Sequence, residues 1–282
     1  VDLTAFAAEV GAEGPVAPVG GRTQWDVGGA VDPAAREVVA PVGIVAYEPA
    51  EMVVRVGAGT TVAELSAALA EHGQMVPLDP SSPEATVGGV LAVGRSGLRR
   101  LRYGPVRDTL LEARFVSAEG RLVKAGGPVV KNVSGFDLCR LLVGSLGTIG
   151  VLAEVVLRVQ PMPKAAQWYR HDAFVDHRSF HRPSAVLWDG ATTWVLLEGH
   201  PADIALDWDE ADGPPSLPRH RRSLPPSKLR TLTGRFVAEL GVGTVHVADR
   251  PPPQSPDRPD LHARVKALFD PTGRLNPGRR VA

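Results

Sequence analysis

Cysteine is almost missing from this chain. One residue in 282, Cys139, carries a thiol, so no disulfide can close within it, and a cytosolic address is the simplest reading. An excess of charge of either sign is missing too. Lys and Arg number 31 against 31 Asp and Glu, which argues against a nucleic-acid or anionic-membrane surface. Long hydrophobic runs are absent. The longest uncharged stretch, Leu141 to Ala153, is interrupted by Gly144, Gly147 and Gly150 and falls well short of the ~20 residues a membrane span needs. No signal peptide is expected: Val1-Asp2-Leu3-Thr4 has no basic segment and leads into a short amphipathic helix with Leu3, Phe6 and Val10 on one side. There is no internal repeat.

Glycine (30) and proline (26) are plentiful, and they punctuate the chain. Short strands are predicted at Val16–Val19, Val38–Ala40, Ile44–Tyr47 and Met52–Val56. Thr61 and Glu64 form a capping-box signature that opens a helix burying Val62, Leu65 and Leu69 and ending at Gly73. Residues 77–109 read mostly as loop. Leu110–Ser117 and Arg121–Lys124 read as a hairpin, and residues 151–159 alternate as a half-buried strand should. Pro161-Met162-Pro163 marks a boundary. Beyond it, four of the five tryptophans (Trp168, Trp188, Trp194, Trp208) suggest a separate small core. Asp189-Gly190 predicts a hairpin between Ala185–Trp188 and Thr192–Leu197. A helix capped by Ser227, with Leu229, Leu232, Phe236 and Leu240 inward, then a strand at Val242–Ala248, complete a β-β-α-β lobe. Residues 249–259 hold five prolines and read as a linker before a last helix, Asp260–Phe269, and two turns.

Three glycine clusters could cradle a dinucleotide pyrophosphate through backbone N–H groups. They are Pro18-Val19-Gly20-Gly21-Arg22-Thr23, Ala85-Thr86-Val87-Gly88-Gly89 running on to Gly94 and Ser96-Gly97, and residues 144–150. None is a Rossmann fingerprint or a Walker loop, and each taken singly reads more readily as a tight turn. Together, their order and spacing resemble the FAD-binding domain shared by flavoproteins of the vanillyl-alcohol oxidase and p-cresol methylhydroxylase (PCMH) type. Three signatures carry the resemblance: Ala85-Thr86-Val87-Gly88-Gly89, the Tyr103-Gly104 to Asp108 step, and Lys131 to Leu138 running on to Gly144–Gly150. The tail from Leu268 to Arg279 resembles the glycolate- and lactate-oxidising branch. Within that branch, residues 72–77 and 96–100 most resemble the glycolate oxidase FAD-binding subunit (GlcE type). The resemblance spans about residues 15–163 and 260–282.

It implies an α+β fold: a PCMH-type FAD-binding domain of two α+β subdomains over residues 1–163, a small, reduced α+β cap lobe over 164–250, and a linker and returning tail over 251–282. It implies FAD as cofactor, held with Val19, Gly20, Gly21, Arg22 and Thr23 around the pyrophosphate. Thr86, Gly88 and Gly89 would stand at the pyrophosphate and flavin side, with Ser96 and Gly97 continuing that wall. Gly147, Ile149 and Val151 would line the adenine or ribityl side, and Asn276 and Arg279 would bring the tail back towards the flavin. Attachment is expected to be non-covalent, because the first loop has no histidine where covalent members carry one. The middle region shows no constellation like the catalytic one on the larger cap of oxidising members, so no catalytic residue is assigned.

The other candidates have plainer readings. His177 and His181 have the spacing of two metal ligands on a helix, yet Pro183 cuts the helix short, and an exposed charged segment is expected. Cys139 sits in an apolar run and reads as a buried, inert thiol. Arg219 to Arg222 reads as a solvated basic loop, with a docking patch for an acidic partner as the sharper alternative. Lys131 and Asp137 could shape the pocket, and Asp137 could equally cap a helix. Three functions follow: an FAD-binding subunit beside a catalytic flavoprotein and an iron–sulfur subunit, cytoplasmic or held at the inner membrane face by those partners; a self-sufficient flavin oxidoreductase acting on a small hydroxy acid or alcohol; and a cofactor-free interaction module.

Overall fold

In the structure, a computed structural model described over residues 2–80, 82–127, 137–249 and 259–280, the chain opens on α1 (Leu3–Val10). Asp2 caps it by accepting from the amides of Thr4 and Ala5, and Leu3, Phe6 and Val10 are buried as their spacing predicts. β1 (Val16–Val19) and β2 (Arg36–Val39) then pair in parallel. β3 (Ile44–Glu48) and β4 (Val53–Gly57) pair antiparallel. The capping box at Thr61 and Glu64 forms with both hydrogen bonds and starts α2 (Val62–Ala70), and β5 (Gln74–Met75) follows. The region expected to be mostly loop contains α3 (Val87–Val93) and α4 (Arg100–Tyr103). Thr86 caps α3 strongly enough to set a helix on a glycine pair that propensity alone disfavours. β6 (Leu110–Val116), β7 (Leu122–Gly126), α5 (Leu138–Leu142), β8 (Val151–Arg158) and β9 (Gln160–Pro161) complete this stretch.

Strand order β3-β4-β8-β6-β7 makes one five-stranded sheet with β8 in the middle, and β5 pairs with β9 beside it. The expectation of a half-buried β8 fails here, because seven of its eight residues are buried. Position explains part of this, and a bulge explains the rest. Register slips between Arg114↔Glu154 and Phe115↔Leu152, leaving Ala153 as an extra residue. Val155 and Leu157 therefore join the core around α2 and α3, while beyond the bulge Leu152 takes that face. Val151 and Ala153 turn to the layer of α1, β1 and β2. Glu154 and Glu112 are buried on this sheet beneath cations: Arg55 bonds both at 2.9 and 2.8 Å, and Lys124 reaches Glu112 at 3.2 Å. Burial pushes the Glu112 carboxyl up, and the hydrogen bonds from Arg55 and Lys124 more than reverse that, leaving it below its ordinary value.

The described residues divide into two compact units. The first comprises Val1–Gly97, Pro105–Pro161 and Ser255–Ala282 and includes α6 (Pro259–Phe269); the second comprises Leu98–Gly104 and Met162–Gln254. The second unit is almost all β. β10 (Ala165–His171), β11 (Ala185–Trp188), β12 (Thr193–Gly199), β13 (Asp209–Ala211), β14 (His220–Ser223), β15 (Phe236–Glu239) and β16 (Thr244–Val247) form a sheet in the order β13-β10-β12-β11-β15-β16-β14. The hairpin at Asp189-Gly190 forms, with the Asp189 carboxylate accepting from the amides of Ala191 and Thr192. The helix expected from Ser227 does not form. Pro225 and Pro226 permit only a 3₁₀ stretch, Pro226–Thr231, and Gly234 turns the chain with φ of 84° into β15. Leu229, Phe236 and Leu240 still reach the core, from a different backbone. Residues 220–223, expected in a loop, are the edge strand β14. The expected linker lies outside the described residues apart from Asp249 and Pro259. Among the described residues no helix is long and apolar enough to cross a membrane.

Candidate functional site

Four segments of the first unit meet around one cavity: the turn after β1, the start of α3, the approach to β8, and the tail. Counted out to open solvent it measures about 920 Å³, at the upper end of cofactor-sized sites. The chain leaves β1 at Gly20-Gly21 and passes residues 84–86 very closely. A Cβ on Gly21 would stand 1.8 Å from the Glu84 carbonyl oxygen, and one on Gly20 2.2 Å from Thr86 Oγ1. Gly88 packs on Ala58, whose carbonyl accepts its amide at 2.7 Å. These glycines are therefore required by chain-on-chain packing that builds the cavity wall, and the Gly88 amide is already committed. The amides of Gly21, Arg22 and Thr23 donate in none of the backbone hydrogen bonds among the described residues.

Six non-glycine residues among those described have positive φ, and three of them line this cavity: Arg22 (53°), Leu146 (56°) and Asn276 (48°). Such conformations are costly for L-residues and gather at functional sites. Charge points the same way. Among the described residues the lining includes Arg22, paired with Glu37 at 2.6 Å, and Arg279, but no Asp, Glu, His or Cys. The guanidinium carbons of Arg22 and Arg279 lie 4.7 and 4.6 Å from the Trp25 ring centroid. Arg279 is fixed further by donating to the carbonyls of Trp25 and Val27 at 2.6 and 2.8 Å.

Residues 2–126 match the family of FAD binding domains, and residues 228–279 match the C-terminal domain of FAD linked oxidases, together more than half of the chain. The chain is an FAD-linked oxidoreductase or a subunit of one, and its cofactor is FAD. Among curated relatives, the glycolate oxidase subunit GlcE of Escherichia coli is 44% identical over 132 residues, covering 46% of this chain and 38% of that protein. A D-lactate dehydrogenase of Archaeoglobus fulgidus is 42% identical over 105 residues, covering 37% of this chain and 24% of that one. The chain thus spans well under half the length of these relatives. Among solved structures, an alkyldihydroxyacetonephosphate synthase superposes with TM-score 0.67 at 15% identity, covering 97% of this chain and 72% of the other, a likeness of fold.

The cavity fits FAD in hydrogen bonding. Uncommitted amides suit the anionic pyrophosphate, and two arginines line it, Arg22 paired with Glu37 at 2.6 Å. Of the residues expected at the site, Val19, Gly20, Gly21, Arg22, Thr23, Thr86, Gly88, Gly89, Gly147 and Asn276 line the cavity together with Arg279. Ser96, Gly97, Ile149 and Val151 do not. Ser96 Oγ accepts from the Val106 amide at 3.0 Å, and Gly97 backs onto Asp79. Ile149 and Val151 are buried in the two core clusters, and their neighbours Gly150 and Leu152 line the cavity instead. Residues 128–136, with Lys131, lie outside the described residues; Asp137 caps α5 by accepting from the Arg140 amide at 3.1 Å.

Sequence reasoning missed Trp25 and Leu152, and gave Leu146 and Gly150 no role beyond membership of the third glycine cluster. Trp25 had a signal, since it alone among the tryptophans stands apart from the 165–210 group. It also missed a charged cluster in the second unit. Glu239 and His246 are both buried; Glu239 Oε1 accepts from Arg221 Nη2 and pairs with His246 Nε2, each at 2.9 Å. The three residues come from neighbouring strands, so no sequence spacing reveals them. His177 begins a short 3₁₀ stretch beside Asp176, and among the described residues no group of His, Cys, Asp and Glu could hold a metal. Cys139 is buried, and burial, then the Asp137 carboxylate, push its thiol up to about 11.

Proposed function

We propose that this chain is the FAD-binding subunit of a glycolate-oxidase-like 2-hydroxy-acid dehydrogenase complex, relaying electrons beside a larger catalytic flavoprotein and an iron–sulfur subunit. The cavity carries the reading, because its uncommitted amides at 21–23 and the two arginines on its wall form a cradle suited to a pyrophosphate in a chain related to GlcE. FAD, when bound, supplies the electron-transfer chemistry. The chain's part is to bind and orient it: Gly21, Arg22 and Thr23 cradle the pyrophosphate, Arg22 and Arg279 add charge, and the apolar wall of Val90, Ala92, Leu146 and Leu152 shields it from water. Attachment is non-covalent, since no histidine or cysteine lines the cavity. The chain works in the cytoplasm, at the inner face of the membrane where its partners hold it.

One observation favours a second reading, a self-sufficient oxidoreductase acting on a small hydroxy acid: the D-lactate dehydrogenase of Archaeoglobus fulgidus is 42% identical over 105 residues. The purified chain separates these readings. A yellow protein whose flavin is not bleached anaerobically by glycolate or D-lactate supports the subunit. Rapid bleaching by the chain alone supports self-sufficiency. A chain that stays colourless after incubation with FAD overturns both.

A further inference from the structure

The apolar side chains left in water are not scattered. Nine large ones are exposed among the described residues, and four of them fall within seven positions: Val39 (60%), Val42 (58%), Ile44 (38%) and Val45 (42%). They belong to a ten-residue run, Val38 to Tyr47, that carries no charge. β3, which closes this run, is an edge strand of the five-stranded sheet, and none of its residues is buried. Single exposed apolar residues are ordinary, but a contiguous set marks an interaction surface.

The segment is held so that it cannot turn inward. The Pro41 carbonyl accepts from the Gly59 amide and the Gly43 carbonyl from the Gly57 amide, each at 2.9 Å, while the Gly43 amide donates to Thr60 Oγ1 at 2.8 Å. Gly57 and Gly59 have no room for a Cβ against the carbonyls of Pro41 and Ala40. The valines thus stand outward on a rigid loop, which lowers the ordering cost of an association. The register slip between Ile44 and Ala46 leaves Val45 unmatched on β4. Such a bulge discourages the addition of a further strand, so the patch offers side chains rather than a ladder.

The charges beside the patch decide its occupant. Arg36 donates to the Glu9 carbonyl and Glu37 pairs with Arg22, each at 2.6 Å. Glu48 stands at the far end of β3. A charged partner would bury its charge against ten uncharged residues, and interface cores exclude charge. A second copy brings the same uncharged surface, and a two-fold meeting puts no charge of the run opposite its like. We propose that residues 39–45 are the contact between two copies of this chain, an isologous apolar interface that does not depend on what fills the cavity.

The test is sedimentation velocity on the purified chain from about 1 to 200 µM, a range chosen for a small interface. The expected result is a weight-average mass that climbs from one chain towards two. Val42→Lys and Val42→Glu should each move the midpoint of that climb up by about tenfold or more, since like charges then face each other across the axis. An equal mixture of the two variants should associate again, because lysine then meets glutamate; a partner of another kind gives no such rescue. Circular dichroism and thermal midpoints are compared with the parent, and Val39→Lys with Val39→Glu repeats the test should either Val42 variant fail to fold. A chain that is monomeric throughout overturns the proposal, whether or not the same valines then hold a different protein. So do a dimer that both charged variants leave intact and a mixture that fails to reassociate.

Discussion

Asp270→Asn should unlatch the tail without touching the cavity. Asp270 is buried, and its two oxygens serve the whole turn that follows α6. Oδ1 accepts from the Arg274 amide at 3.1 Å, and Oδ2 from the Leu275 amide at 2.7 Å and from Lys266 Nζ. Lys266 in turn donates to the Thr148 and Leu275 carbonyls. An asparagine keeps one acceptor oxygen and turns the other position into a donor. One buried amide then faces a donor, and a largely buried ammonium loses its countercharge. Removing one member of such a pair costs about 3–5 kcal/mol, against roughly 5–15 kcal/mol for a whole domain. With a urea slope near 2 kcal/mol/M the midpoint of the first unit should fall by about 2 M.

The assay is urea titration of the FAD-loaded protein, following flavin release by fluorescence and backbone structure by circular dichroism. Two units need not unfold together, so the two probes are compared separately. The pH dependence supplies an internal control. Burial raises the Asp270 carboxyl, but the hydrogen bonds from Lys266 and the Leu275 amide outweigh it, and the group sits below its ordinary value. A carboxyl depressed in the folded state contributes stability above its unfolded value near 3.9, and that contribution disappears as pH falls through the folded value. Parent and variant should therefore differ most at neutral pH and converge below about pH 4. A variant within 1 kcal/mol of the parent at pH 7, or a gap that persists undiminished into acid, refutes the latch.

Gly89→Asp should abolish FAD retention. A carboxylate within about 4 Å of the pyrophosphate at an effective dielectric of 20 costs about 4 kcal/mol, near a thousandfold in affinity; a folded, still yellow variant would move the pyrophosphate away from α3. Cys139 should resist Ellman's reagent at pH 8 in the folded protein and react once denatured, because its thiol is buried and raised to about 11. Labelling of the native chain at the rate of a free thiol would contradict its packing.

Local signals in the sequence were reliable where a few adjacent residues decide the outcome. The Thr61–Glu64 capping box, the Asp189-Gly190 hairpin and the helical face of Leu3, Phe6 and Val10 all appear in the structure. Failures came where tertiary context overrides the local pattern. The 227–240 segment satisfies a helical spacing of apolar residues, yet Pro225, Pro226 and Gly234 give a 3₁₀ stretch and then a strand, from which Leu229, Phe236 and Leu240 still reach the core. The bulge in β8 belongs to a strand pairing, so the face switch at Ala153 was hidden from the sequence. The glycine clusters were visible, but their cause was not. Gly21 and Gly88 answer to Glu84 and Ala58, contacts between segments distant in sequence.

That cause changes what the clusters mean for the cofactor. Had the glycines been present to let a ligand come near, an apo chain could relax around an open loop. They instead let β1, the segment at 84–86 and the strand end at Ala58 pack against one another, which leaves the cavity walls no freedom to collapse. The three residues with positive φ fit the same scheme. Each conformation costs on the order of 1 kcal/mol or more, and each is held by the surrounding structure. The Leu146 amide donates to Ala92 at 2.8 Å and its carbonyl takes Asn276 Nδ2; the Arg22 carbonyl accepts from the Trp25 amide at 3.3 Å. Both Arg22 and Asn276 take these conformations where the chain lines the cavity. The ordering needed to bind FAD is thus met when the chain folds, and little remains to be met when the cofactor arrives.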